Sequence, residues 1–197
     1  AIDPVRYITN HSTGKMGYAI AKAAKMRGAS VTLVSGSTSL RPFSGIDVIN
    51  VKSAEDMYNA VMEKYPDSDI VIKAAAVADF TPEKCESEKI KKGADKVSLP
   101  LKKTEDILAM LGAQKVNQIL VGFCMETNNL IENAKAKLYR KNLDLIAANS
   151  LNTDGAGFGT DTNVITLISK SGKMCELEKM SKFDAANIIL DILSDGF

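Results

Sequence analysis

The sequence predicts an α/β domain built on a mostly parallel sheet. Three observations carry this. Apolar runs at 69–76, 119–124 and 143–148 are continuous rather than alternating, as expected of strands buried on both faces. Between them lie stretches with apolar residues at helical spacing. Near the end, Ser171-Gly172 separates two strand-like runs, a hairpin signal that adds an antiparallel edge. Helices alternating with buried strands require crossovers, and crossovers put helices against the sheet.

The elements follow in order. Asp3-Pro4 disfavours helix before it, and residues 5–8 read as a short extended stretch. A polar, glycine-bearing turn, Asn10-His11-Ser12-Thr13-Gly14-Lys15-Met16-Gly17, comes next. Ala19, Ile20, Ala23 and Ala24 then place a helix over 17–27, with Gly28 at its C′ position. Residues 30–34 and 47–51 are short strands around a loop, 36–45, rich in Ser, Pro and Gly. Ser53 is placed to cap a helix whose first turn holds Glu55 and Asp56, and Met57, Val61 and Tyr65 form its apolar stripe. The strand at 69–76 contains one lysine, Lys73. Residues 79–96 are polar, charged and aperiodic, and read as a long mobile loop of the kind compact domains keep for function. A weakly alternating strand is expected over 97–101. Thr104 is expected to cap a helix to about Gln114, with Ile107, Leu108 and Leu111 inward. The strand at 119–124, a basic amphipathic helix over 130–141, the strand at 143–148 and a glycine-rich loop over 155–162 follow. Strands at 164–169 and 173–177 form the hairpin, and a helix over 183–193 closes the chain. No repeat, low-complexity tract or linker divides residues 1–197, so they read as one domain.

Composition narrows the function classes. A net charge of +1 argues for neither nucleic acid nor an acidic membrane, so any anion site must come from local clustering. There is no signal peptide and no apolar run long enough to span a bilayer. Cys85, Cys124 and Cys175 are odd in number and widely spaced, which fits neither a disulfide framework nor a zinc site. His11 is the single histidine, so no histidine cluster can hold a metal. A reducing cytoplasm is the simplest compartment. The chain opens on Ala-Ile-Asp-Pro without a methionine, and so reads as a piece of a longer protein.

Ligands in such folds bind beyond the carboxyl ends of the strands. That rule selects the Asn10–Gly17 turn, the segment Ala74-Ala75-Ala76-Val77-Ala78-Asp79 and the strand end at Gly122-Phe123. The turn leaves backbone N–H groups at a helix N-terminus, where an anion is favoured. The alternative is an ordinary strand-to-helix turn with a serine or threonine cap. As a dinucleotide fingerprint the turn is partial, with Ser12 at the first glycine position and no acid after the strand at 30–34. Nor is it a P-loop, because Gly14-Lys15 is followed by Met16. Small residues at Ala74–Ala78 allow close approach of a ligand, or simply tight helix packing. The Lys89-Ile90-Lys91-Lys92 run suits a cation closing over a polyphosphate, or a solvated charged segment. Lys137 and Lys141 share a helix face and repel unless an anion or carboxylate lies between them.

As an ordered set these stretches resemble the bacterial phosphopantothenate–cysteine ligases of coenzyme A biosynthesis. The matching motifs begin with Asp3-Pro4-Val5-Arg6-Tyr7-Ile8, the Asn10–Gly17 turn and Ala75-Ala76-Val77-Ala78-Asp79-Phe80. They continue with Glu88-Lys89-Ile90-Lys91-Lys92, Val121-Gly122-Phe123, Glu126-Thr127-Asn128-Asn129, Arg140-Lys141-Asn142-Leu143-Asp144-Leu145-Ile146 and Ala148-Asn149. They run in the family's order along nearly the whole chain. The resemblance implies a Rossmann-like, three-layer α/β/α domain working as a homodimer, often fused to a phosphopantothenoylcysteine decarboxylase. It implies CTP as co-substrate, with Mg²⁺, and 4′-phosphopantothenate and L-cysteine as the substrates joined through an acyl-cytidylate. Asp79, Lys89, Phe123, Lys137 and Lys141 match CTP-site positions. Lys103 and Asp106 fall in another nucleotide-contacting turn, with Thr104-Glu105 where Asn-Pro is more usual. Asn10 matches the residue that holds the acyl-cytidylate for the cysteine step, Ala75 and Ala76 match the substrate-binding segment, and Lys89 serves activation. The Mg²⁺ ligands are left unnamed. Family members also begin with a strand and a Thr/Gly-rich turn upstream of Asp3-Pro4, which in such a sheet is the central first strand. Against the ligase stand two other classes: a nicotinamide- or flavin-binding oxidoreductase, and a non-catalytic nucleotide-binding or dimerisation module.

Overall fold

In the computed structural model, which describes residues 1–91, 98–126, 128–150 and 159–196, the alternation becomes five helices and eleven short strands among those residues. Helix α1 (Lys15–Met26) leads to β1 (Thr32–Ser35) and β2 (Asp47–Asn50), which pair in parallel as a two-stranded sheet of their own. Then come α2 (Ala54–Lys64), β3 (Ile70–Lys73), β4 (Phe80–Pro82) and β5 (Leu101–Lys103). Helix α3 (Ile107–Gln114), β6 (Ile119–Glu126), α4 (Leu130–Arg140) and β7 (Leu145–Ser150) complete the alternating part. The chain ends with β8 (Thr162–Asn163), β9 (Ile165–Ser169), β10 (Met174–Glu176), β11 (Met180–Ser181) and α5 (Lys182–Asp195). The main sheet has the order β10-β9-β7-β6-β3. Its β3, β6 and β7 are parallel, and β9 and β10 form the antiparallel edge.

Side chains on the strands alternate between two apolar layers, as the pleat requires. Val121, Leu145, Ala147, Ile165 and Leu167 pack against α1 and α5. Leu120, Cys124, Ile146, Ala148 and Ile168 pack against α2, α3 and α4. This is the three-layer α/β/α arrangement. A fully buried leucine or isoleucine in it contributes roughly 1.5–3 kcal/mol.

Local chemistry explains most boundaries. Ser53 and Asp56 form a reciprocal capping box on α2: Ser53 Oγ accepts the Asp56 N–H at 3.0 Å, and Asp56 Oδ2 accepts the Ser53 N–H at 3.0 Å. Gly28, at φ 89°, turns the chain out of α1 as expected. The Ser171-Gly172 hairpin forms as read, between β9 and β10.

Several expectations change. Residues 5–8 join no strand. Helix α1 starts earlier, behind Gly14 in the left-handed region, with no side-chain cap from Ser12 or Thr13. Strand β3 is shorter than 69–76 and is not buried on both faces, with Ile70 43% exposed. The reason is that β3 is an edge: among the described residues no strand pairs with its side away from β6, and β1 and β2 stand apart. The 79–96 loop is partly ordered, since β4 pairs antiparallel with β5. The strand expected over 97–101 begins only at Leu101. Thr104 does not cap α3; Asp106 does, its Oδ1 accepting the Ala109 N–H at 3.2 Å. Lys92 to Val97, Thr127 and the 155–158 part of the glycine-rich loop lie outside the described residues, while Thr162 belongs to β8.

Candidate functional site

The parallel strands β3, β6 and β7 all point their carboxyl ends to one side of the sheet, ending at Lys73, Glu126 and Ser150. The motifs converge on this side. Asn10 is the pin between two of them. Its side-chain amide donates to the Ala76 carbonyl, and its Oδ1 accepts the Ser12 N–H at 2.8 Å. The expected substrate residues Asn10 and Ala76 are thus in direct contact, with Ala75 beside them. Gly17, one turn into α1, faces Ala74 closely: a Cβ built on it would lie 3.9 Å from the Ala74 Cβ.

A second stitch joins the 103–106 turn to the same segment. Thr104 donates its hydroxyl to the Ala78 carbonyl at 2.6 Å and its N–H to the Asp79 carbonyl at 3.0 Å. Lys103 pairs in register with Phe80 across β4 and β5 and is exposed, as is Asp79. Asp106 receives the Lys141 ammonium at 2.8 Å. Burial pushes the Asp106 carboxyl up, but the Lys141 and Ala109 hydrogen bonds outweigh it and hold it below its ordinary value. On the same helix, Lys137 lies 3.5 Å from Glu126, which also accepts the Asn133 side-chain amide at 3.3 Å. The carboxylate required between Lys137 and Lys141 is therefore two carboxylates, one for each lysine.

Lys73 is a cation that the sequence reading passed over as an interruption in a strand. It ends β3, half-buried, and donates to the Ala75 carbonyl at 3.1 Å. Burial, and then the positive charge of Lys141, pull its pKa down; Asp106 and Asp79 oppose this, and Lys137 adds to it. Three lysines thus share one field at the strand ends. Glu126, the last residue of β6, stands in the Glu126-Thr127-Asn128-Asn129 motif, which was given no role; its signal was its place at the end of that run.

Other expected residues are less closely joined. Phe123 is half-buried and packs on the α1 and α5 face, opposite the layer that contains α4. Lys89 is exposed and makes no hydrogen bond or ion pair among the described residues. Lys15 is not a free anion donor: its ammonium is 2.7 Å from both the Gly159 carbonyl and Asp161 Oδ1. Cys124 is buried, and burial raises its thiol to about 11, so it is no nucleophile. Among the described residues no group of three or more His, Cys, Asp or Glu side chains can hold a metal.

Comparison with known proteins places this geometry. The model of the DNA/pantothenate metabolism flavoprotein C-terminal domain matches residues 1–196. The chain belongs to this family. A curated relative, the Coenzyme A biosynthesis bifunctional protein CoaBC of Bacillus subtilis (strain 168), is 53% identical over 96% of this chain and 47% of its own length. Another, named cysteine/cysteine sulfinic acid decarboxylase and from an unknown prokaryotic organism, is 52% identical over 98% of this chain and 55% of its own. The chain therefore spans about half the length of these relatives. A crystal structure of the C-terminal domain of a CoaBC protein superposes with a TM-score of 0.83 at 40% identity, covering 99% of this chain and 90% of that one. The chain thus shares the α/β frame of that solved C-terminal domain.

Proposed function

We propose that the chain is a CTP-dependent phosphopantothenate–cysteine ligase domain acting in coenzyme A biosynthesis. The observation that carries the reading is the convergence of Lys73, Lys137 and Lys141 with the Asn10–Ala76 contact at the carboxyl ends of β3 and β6. Lys137 and Lys141 each pair with a carboxylate, and Lys73 lies in their field. A triphosphate adds anionic oxygens that all three ammonium groups can share, and its Mg²⁺ arrives on the phosphates as part of the substrate.

In the first step, a carboxylate oxygen of 4′-phosphopantothenate attacks the α-phosphorus of CTP. The bond to the bridging oxygen breaks and pyrophosphate leaves, giving an acyl-cytidylate. Lys137 and Lys141 neutralise charge as it moves onto the leaving group, and Lys89 closes from its loop to do the same. In the second step, the amine of cysteine attacks the acyl carbon, CMP departs with the bonding pair, and the amine loses a proton. An amide group has two N–H bonds. Asn10 spends one on Ala76 and turns the other to the acyl oxygen. The exposed apolar side chains of Val5 and Tyr7, 61% and 67% exposed, support a homodimer in which this segment is covered.

The dinucleotide alternative has no acid to hold a ribose. Strand β1 ends on Ser35, whose hydroxyl is 3.1 Å from Tyr18 Oη and donates to the Gly36 carbonyl at 3.0 Å.

Pyrophosphate release from CTP with 4′-phosphopantothenate and Mg²⁺, with and without cysteine, tests the reading on the full-length protein. Lys89→Gln should suppress release about a hundredfold, the scale of one lost phosphate-stabilising donor. Release near the wild-type rate in Lys89→Gln removes Lys89 from the reaction. No release with CTP, together with tight NADPH binding, overturns the ligase.

A further inference from the structure

An acid from the N-terminal segment meets the backbone beside Lys89. Asp3 is 1% exposed, yet it stands in an N-terminal segment that contributes to no helix or strand. Its Oδ1 accepts the N–H groups of Val5 at 2.9 Å and Arg6 at 2.8 Å. Its Oδ2 accepts Arg6 Nε at 2.9 Å, a second nitrogen of the same guanidinium, and the N–H of Ile90 at 3.2 Å. Arg6 also donates to the Ile90 carbonyl at 3.1 Å, and the Glu86 N–H donates to the Ile2 carbonyl at 2.9 Å. Both backbone polar groups of Ile90 are thus bound by the Asp3–Arg6 pair, and the loop's base is bound by Ile2. Lys89 is the residue before Ile90.

A bend at residues 3–6 needs only the two Oδ1 bonds, which make an ordinary aspartate turn. The second oxygen and the guanidinium fork are left over from that task, and they face Ile90. Charge-assisted, bidentate bonds of this kind fix direction as well as adding energy. The Arg6 guanidinium holds the Asp3 carboxyl well below the usual carboxylate range, outweighing its burial, and the backbone N–H groups of Val5, Arg6 and Ile90 add to this.

We propose that Asp3 is a positioning residue: clamped by Arg6, its carboxylate fixes the Ile90 backbone and thereby sets where Lys89 stands when the nucleotide binds. The catalytic half of this statement rests on the ligase reading, in which Lys89 acts on the phosphates. The strap itself does not rest on it.

Asp3→Asn keeps the shape and removes the charge. In the full-length protein, amide exchange at Ile90 should accelerate tenfold or more while β6 and α4 keep their protection. The kcat for pyrophosphate release should fall about tenfold or more, with the KM for CTP nearly unchanged. In a Lys89→Gln background the same change should have no further effect, because Asp3 acts through Lys89. A fall of equal size in both backgrounds, or an unchanged Ile90 amide, overturns the proposal. Arg6→Gln, read by exchange at Ile90 alone, is the second variant should Asp3→Asn fail to fold, and retained protection in it overturns the strap. If the wild-type protein releases no pyrophosphate from CTP, the ligase reading and the catalytic half fall together, and the Ile90 amide still decides the strap.

Discussion

Gly112→Ala tests the packing that holds Lys141 in place. Gly112 lies in α3, where α3 meets the end of α4 so closely that a Cβ there would sit 2.0 Å from the Lys141 carbonyl oxygen and 2.8 Å from its carbon. Ordinary contacts begin near 3.4 Å. The obstacle is backbone, so no side chain can rotate away and the α3–α4 contact must open by more than an ångström. Overpacking of this kind costs about 1–3 kcal/mol and occasionally more. The alanine recovers about 1 kcal/mol of helix propensity. Because the clash is with backbone, we place the gross cost at or just above the top of that range and the net loss at about 2–3 kcal/mol, hence a Tm roughly 4–12 °C lower for a domain of this size. Gly122→Ala is the control. Its Cβ would meet Leu143 Cδ1 at 2.8 Å and Leu108 Cδ2 at 2.9 Å, both side-chain ends that can move. It should cost less, about 1–2 kcal/mol. Urea and thermal unfolding of the two variants measure the difference, and CTP binding should weaken more in Gly112→Ala as Lys141 shifts. A Gly112→Ala protein within about 0.5 kcal/mol of wild type, or one more stable than Gly122→Ala, would refute the reasoning.

The remaining predictions concern the strand ends. Asn10→Ala should spare pyrophosphate release and slow cysteine coupling by about a hundredfold, as loss of one donor to an acyl oxygen does, so acyl-cytidylate should accumulate on quenching; equal losses in both half-reactions remove any step-specific role. Lys73 has a folded pKa below its ordinary 10.5. The unfolded chain therefore binds more protons in the window beneath that value, and stability rises with pH through it. Lys73→Met should flatten that rise, gain stability at neutral pH and weaken CTP binding. A Lys73→Met protein with an unchanged stability–pH curve contradicts the assignment.

The layers of the fold were legible in the sequence because burial writes itself into hydrophobic pattern. The runs around Leu120, Val121, Ile146 and Ala147 read as strands covered on two sides, and they are buried so. What was not legible depends on partners distant in sequence. The 69–76 run has the composition of a central strand, yet among the described residues β3 pairs on one side only. Thr104 and Asp106 are both good helix caps; Asp106 caps α3, while Thr104 is stitched to the Ala78 and Asp79 carbonyls. In the site, the residue types were readable and their pairings were not. Asn10 bonds Ala76 across sixty-six positions, and Asp106 and Glu126 take the two lysines of α4. Lys73 was hidden by the apolar residues around it. Asp3 gave a faint signal, an Asp-Pro with an arginine three residues on.

Strands β1 and β2 pair with each other and meet the main sheet through side chains. Among the described residues no backbone ladder ties that ribbon to β3. It is attached by side chains, with Val34 and Ile49 sharing an apolar cluster with Val71 of β3, Met57 of α2 and Leu111 of α3, while α1 lies against β1. A two-stranded sheet is marginal alone, and packing without a ladder transmits cooperativity weakly. Residues 32–50 are therefore held to β3 by side-chain packing alone among the described residues.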